Sequence, residues 1–131
     1  MLIGMRIVAT GIDLIECQRI AELWERHGDR MVNRLLTPAE WAYVRMHKDF
    51  IPRLAGRFAA KEAILKVLGT GWRGGIAWTD MEILNDRAGS PHLTLSGECA
   101  RVAERLGITR IFISISHTAN YATAMATGVS D

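Results

Sequence analysis

Two acidic residues, far apart in the chain, stand where metal chemistry would want them. Residues 5–12 (MRIVATGI) read as a buried strand that delivers Asp13 at its end. Glu62 lies within residues 53–68, and Lys66 follows it one helical turn later. Projected as a helix at about 100° per residue, residues 53–68 show two apolar faces. Leu54, Phe58, Leu65 and Leu68 form a bulky stripe; Gly56, Ala59, Ala60, Ala63 and Val67 form a small-residue face opposite it. A helix covered on both sides is largely internal, so its charges must emerge along narrow seams. Glu62 and Lys66 share one seam, Arg53 and Arg57 share the other, and Lys61 falls near the middle of the bulky stripe. Buried charge is costly unless it is paired or coordinated.

Taken singly, each of these residues has a bland account. Glu62 and Lys66 make an i,i+4 ion pair in its favourable orientation, and Arg57 and Lys61 can snorkel outward. The whole set, followed at once by Gly69-Thr70-Gly71, reads better as a site. Asp13 and Glu62 would make a sparse two-carboxylate centre. That suits Mg²⁺, which takes one or two carboxylates together with substrate phosphates and water. Arg57, Lys61 and Lys66 add positive charge for phosphate oxygens. His117, in a tight Ser116-His117-Thr118 corner, can donate to a phosphate, although a lone histidine is more often structural. Residue types and spacing thus reach Mg²⁺-assisted phosphoryl or phosphodiester chemistry.

The elements that must position these groups follow from turn and cap signals. A helix over residues 15–27 ends at Gly28. Thr37-Pro38-Ala39-Glu40 starts the next one: Thr37 caps, Pro38 suits the first helical position, and Glu40 reaches back as a capping box. Pro52 marks a boundary before the helix at 53–68. Residues 77–84 and 92–95 read as strands joined by the turn residues 85–91. A helix from Ser96 or Gly97 to Gly107 precedes strands at about 109–116 and 120–127. The expectation is a single α+β domain over 1–131, an antiparallel sheet with packed helices.

Composition excludes several classes. The chain has 131 residues, is 49% hydrophobic and carries a net charge of +2, which describes an ordinary globular domain. It lacks the strong net charge or aromatic-basic stripe of a nucleic-acid binder. Residues 111–130 carry no charged side chain, yet Ser114, Ser116, His117, Asn120 and Thr123 make them too polar for a membrane span. Cys17 and Cys99 stand alone, without zinc-ligand spacing, as reduced thiols in a cytoplasmic protein would. No signal peptide is evident. The basic residues Arg19, Arg26, Arg30 and Arg34 make a mildly basic surface, for which a solvated face or an acidic partner are the two readings.

Three blocks, in order, carry a likeness to a known family. They are Gly11-Ile12-Asp13-Leu14-Ile15-Glu16 with Arg19-Ile20; Arg57-Phe58-Ala59-Ala60-Lys61-Glu62-Ala63 with Lys66 and Gly69-Thr70-Gly71; and Ser114-Ile115-Ser116-His117-Thr118. The chain closely resembles the holo-acyl-carrier-protein synthases, the single-domain group of the 4′-phosphopantetheinyl transferases, over essentially its whole length. The resemblance implies transfer of 4′-phosphopantetheine from coenzyme A (CoA) to a serine of apo acyl carrier protein, Mg²⁺-dependent, in fatty acid biosynthesis. It implies Asp13 and Glu62 as metal ligands, with Glu62 and Lys66 catalytic. Arg57, Lys61, Gly69, Gly71, Pro91 and His117 lie in segments that line CoA. Arg19 and Arg26 would dock the acidic carrier. Either Glu62 or a metal-bound water suits the role of base. The family works as homotrimers with shared active sites, and subunit contacts would fall on the small-residue face or the C-terminal strands. A family member that binds CoA or carrier protein without transfer is the alternative, against which Asp13, Glu62 and Lys66 speak. The loop Trp72-Arg73-Gly74-Gly75 is long for the family and bears on how CoA is covered.

Overall fold

Cap and turn chemistry sets most of the element boundaries. The computed structural model describes residues 4–71 and 74–131, so Trp72 and Arg73 of the long loop lie outside the described residues. In order come β1 (Arg6–Glu16), α1 (Cys17–His27), α2 (Asp29–Leu35), α3 (Pro38–Val44) and α4 (Ile51–Leu68). A 3₁₀ turn (Trp78–Asp80), β2 (Met81–Asn85), β3 (Pro91–Leu95), α5 (Gly97–Arg105), β4 (Arg110–His117) and β5 (Tyr121–Ser130) complete the chain. The α+β class is as expected.

The capping box at α3 forms as its sequence dictates. The Glu40 amide donates to Thr37 Oγ1 at 3.2 Å, and the Thr37 amide donates to Glu40 Oε1 at 2.9 Å. Other boundaries differ from the expectation for physical reasons. β1 continues through Asp13 to Glu16, because β5 pairs with it as far as Glu16↔Tyr121. Asp13 therefore sits within the strand and not at its end. α4 begins at Ile51, with Pro52 inside its first turn, where the missing N–H is harmless. Helix α2 carries no cap signal of its own and starts directly after Gly28, whose φ of 51° ends α1.

The strands divide into two sheets. One is three-stranded and antiparallel in the order β1-β5-β4, and the other is the β2-β3 hairpin. Helix α4 lies across one face of the three-stranded sheet, and the core sits between them. Leu54, Ala59, Ala60, Ala63 and Ile64 are completely buried. The small-residue face of α4 is covered by the chain's own sheet. A Cβ on Gly56 would come within 2.9 Å of Ile115 Cγ2, and one on Gly128 within 2.7 Å of Val67 Cγ1. That corrects one of the two subunit-contact expectations: the small residues serve close packing inside the chain. The opposite face of the sheet is bare. Ile12 and Leu14 are each 66% exposed, with Phe112 and Met125 nearly half exposed beside them.

Candidate active site

Strand alternation aims Asp13 inward toward α4, while its neighbours Ile12 and Leu14 face out. Helical spacing puts Glu62 and Lys66 on one edge of α4. The Lys66 ammonium joins the two elements: Nζ donates to the Ile12 carbonyl at 2.6 Å and to Asp13 Oδ1 at 3.3 Å. Thr123 on β5 donates its hydroxyl to the Asp13 carbonyl at 2.8 Å, fixing the strand from its other side. Glu62 is half-buried. Burial pushes its carboxyl above the usual glutamate range, the Asp13 carboxylate pushes it further, and Lys66 and Arg19 partly offset both. Asp13, Glu62, Lys66 and Arg19 therefore form one electrostatic cluster.

The donor set fits a hard cation of modest coordination demand. Among the described residues no group of three or more His, Cys, Asp or Glu side chains could hold a metal. Two electrostatically coupled carboxylates, one of them partly buried, match an ion that keeps most of its shell as water and phosphate. Asp13 and Glu62 would hold it. Gly69 caps the same end of α4: its φ of 72° takes the left-handed turn, and its amide donates to the Leu65 and Lys66 carbonyls at 2.9 and 3.2 Å. Gly71 follows, also left-handed with φ 59°.

Arg57 belongs to a second cluster. With Tyr43, Gly56, Asn85, Pro91 and His117 it lines a cleft of about 180 Å³. Arg57 is buried, donates Nη2 to Asn85 Oδ1 and lies over the Tyr43 ring at 5.3 Å. Its Nε has no hydrogen-bond partner. Burial lowers the guanidinium's affinity for its proton, and Glu40 opposes that. Pro91 opens β3 and is half-buried, while His117 closes β4 and is exposed. Three of the expected CoA residues thus meet in one cleft, apart from the carboxylate cluster.

Lys61 does not join either group, which corrects its assignment as a CoA-lining residue. It is completely buried, and Nζ donates to Glu40 Oε1 at 2.8 Å, to the Leu35 carbonyl at 2.7 Å and to the Trp78 carbonyl at 3.2 Å. All three ammonium protons are engaged, so none is left for a phosphate. Burial holds its pKa below the usual lysine range, with Glu40 working the other way. Glu40, read in the sequence only as a capping residue, also accepts from the Ile83 amide at 3.0 Å. One buried carboxylate thereby ties α3, α4 and β2 together. Glu40, Asn85, Tyr43 and Thr123 were not singled out for these roles. Only Glu40 carried a local signal, and the capping box already explained it.

Arg19 and Arg26 are exposed on α1, two turns apart and so on one face. Beside that helix, Ile20, Leu23, Met31, Leu35, Phe58 and Trp78 line an apolar hollow of about 110 Å³.

Comparison with known proteins identifies the family. The family model described as the 4′-phosphopantetheinyl transferase superfamily matches residues 9–126. A holo-[acyl-carrier-protein] synthase of Solibacter usitatus is 51% identical over 113 residues, covering 86% of this chain and 90% of that protein. One from Koribacter versatilis is 46% identical over 118 residues, covering 90% and 94%. Among solved structures, the Plasmodium yoelii holo-ACP synthase superposes with a TM-score of 0.84 at 32% identity, covering 98% of this chain and 99% of that one. The Helicobacter pylori enzyme in complex with coenzyme A gives 0.81 at 30% identity, covering 92% and 99%. Matched by the family model over most of its length, half identical to one named relative and alike in fold to the solved enzymes, the chain belongs to the holo-[acyl-carrier-protein] synthase group of the 4′-phosphopantetheinyl transferase superfamily.

Proposed function

We propose that this chain transfers the 4′-phosphopantetheine arm of CoA to a serine of apo acyl carrier protein. Transfer is Mg²⁺-dependent, releases adenosine 3′,5′-bisphosphate and serves fatty acid biosynthesis in the cytoplasm. The observation that carries this reading is the meeting of Asp13, Glu62 and Lys66, brought together by α4 lying on β1. The relatives' names and the CoA-bound structure among them support the substrate pair.

In the reaction, the carrier serine oxygen forms a bond to the β-phosphorus of CoA as its hydroxyl proton passes to Glu62 or to a water. The bond from that phosphorus to the oxygen it shares with the α-phosphate breaks, and the bridging oxygen leaves with adenosine 3′,5′-bisphosphate. Mg²⁺ bound at the carboxylates would supply Lewis-acid polarisation of the phosphoryl oxygens. Asp13 and Glu62 orient that charge from two elements that cannot drift apart. Lys66 stands beside them and offsets negative charge that grows on the phosphates. In the second cleft, the positive charge of the Arg57 guanidinium and the His117 ring favour an anionic end of the nucleotide.

The docking reading rests on Arg19 and Arg26 beside the apolar hollow, which suits an acidic partner with one apolar anchor. The bare sheet face supports assembly of copies, and we read the active form as the homotrimer of its family. The two separate clusters fit a site shared between neighbours, the carboxylates from one copy and the Arg57 cleft from the next.

Incubation with CoA, Mg²⁺ and apo acyl carrier protein, followed by mass spectrometry of the carrier, tests the proposal. The carrier should gain one phosphopantetheine. CoA binding without any such gain across several carriers would instead favour a binding protein. Arg19→Glu should weaken carrier binding far more than CoA binding, and equal loss of both would remove the docking role of α1.

A further inference from the structure

We propose that Gly11 is a positioning residue for the carboxylate pair: the lack of a side chain there seats β1 against α4 and so sets the separation of Asp13 from Glu62. The inference rests on the reading of Asp13 and Glu62 as the metal-holding pair.

A Cβ built on Gly11 would lie 2.2 Å from the Ala63 carbonyl oxygen, 3.1 Å from the Ala63 carbonyl carbon and 3.0 Å from Lys66 Cβ. Two of these atoms are helix backbone and cannot rotate aside. Ala63 directly follows Glu62, and Lys66 is the cation of the cluster. Gly11 and Asp13 are two residues apart on one strand, so their side-chain directions share a face. A methyl group at Gly11 must therefore push the strand carrying Asp13 off the helix carrying Glu62, by roughly 1 Å to restore ordinary contact. The glycine is needed for room, since its φ is not left-handed.

Other glycines between α4 and the sheet do not have this consequence. Gly56 faces the end of the Ile115 side chain at 2.9 Å, and Gly128 faces Val67 Cγ1 at 2.7 Å. Those contacts are with side-chain methyl groups and not with helix backbone. The seating at Gly11 is also reinforced on both sides, by Lys66 on the Ile12 carbonyl and by Thr123 on the Asp13 carbonyl. Displacements of about 1 Å in such a site can cost up to 10²-fold in function.

The test measures binding of Mn²⁺ alone by electron paramagnetic resonance, with thermal melting of the metal-free protein alongside. Gly11→Ala should weaken Mn²⁺ binding about tenfold or more. Gly128→Ala should lower the melting temperature but keep wild-type Mn²⁺ affinity. Asp13→Glu should weaken binding by itself, yet restore part of it when combined with Gly11→Ala, because the added methylene spans the widened gap. A general folding defect would not be rescued by a longer side chain. Wild-type affinity in Gly11→Ala, or equal weakening in Gly128→Ala, would overturn the proposal. If Gly11→Ala does not fold, Thr123→Val reads the same seating from the β5 side. It should bind severalfold more weakly, and wild-type affinity there would overturn the proposal. Absence of Mn²⁺ binding in the unaltered protein would defeat the two-carboxylate reading itself, a result distinct from equal binding by both proteins.

Discussion

A carboxylate that has lost part of its hydration and feels the charge of a second carboxylate costs the metal-free fold free energy. Glu62 is in that position, its carboxyl held above the usual range first by burial and then by Asp13. The folded state thus binds this proton more tightly than the unfolded chain. Ionised Glu62 therefore destabilises the fold above its raised pKa, and the effect disappears as pH falls below the ordinary glutamate value of about 4.3. Glu62→Gln should cut transfer by ~10²-fold or more. The same substitution should raise the melting temperature of the metal-free protein at pH 7, with the gain shrinking toward pH 4. A lower melting temperature at pH 7 would argue against the strained carboxylate.

At the scale of elements, α4 carries two lysines with opposite duties. Lys66 is half exposed and pairs with Asp13, so its loss should cost under about 1 kcal/mol of stability. Lys66→Met should nonetheless slow turnover strongly. Lys61 forms a fully buried pair with Glu40, and removing one partner of such a pair costs about 3–5 kcal/mol. Lys61→Met should show that loss in urea denaturation at fixed protein concentration, with the KM for CoA unchanged in the fraction that folds. Stability loss in Lys66→Met matching that in Lys61→Met would undo the distinction. The sequence made part of this legible. Periodicity exposed the double coverage of α4, and the capping box announced α3. It could not show which seam charge turns inward, because Lys61 is satisfied by a carboxylate and two carbonyls that are distant in the chain. Asp13, Glu62 and Lys66 were readable as a set through resemblance more than through spacing, since β1 and α4 meet only in the tertiary fold. The extent of β1 is hidden from the sequence for the same reason: pairing with β5, and no local signal, carries it to Glu16.

On the scale of the whole molecule, the site residues fall into two clusters, and the outer sheet face is apolar and uncovered within one chain. Ile12 pairs with Met125 across that face, and both are exposed. Patches of this kind mark association surfaces. Ile12→Asp should shift sedimentation toward the single chain and abolish transfer, whereas an unchanged sedimentation coefficient would place the interface elsewhere. Mixing offers a sharper check. Asp13→Asn and Arg57→Ala should each be inactive alone, and mixed oligomers should regain part of the activity if neighbours share the site. No recovery, with exchange of subunits demonstrated, would locate both clusters of each site in one chain.

Strand β5 stands between β1 and β4, and it is the last of the three to be synthesised. Asp13 and the Thr123 that anchors it are 110 residues apart. During translation β1 has no partner in its sheet until β5 emerges, and its apolar residues must wait unpaired. Pairing over such separations is slow, because loop closure precedes any stabilising contact. Asp13 is thus placed only after β5 has been made, and a chain cut before Tyr121 should remain unfolded by circular dichroism. Partly made copies would then be inert, exposing an unpaired strand edge of the kind that chaperones bind, in place of half an active site.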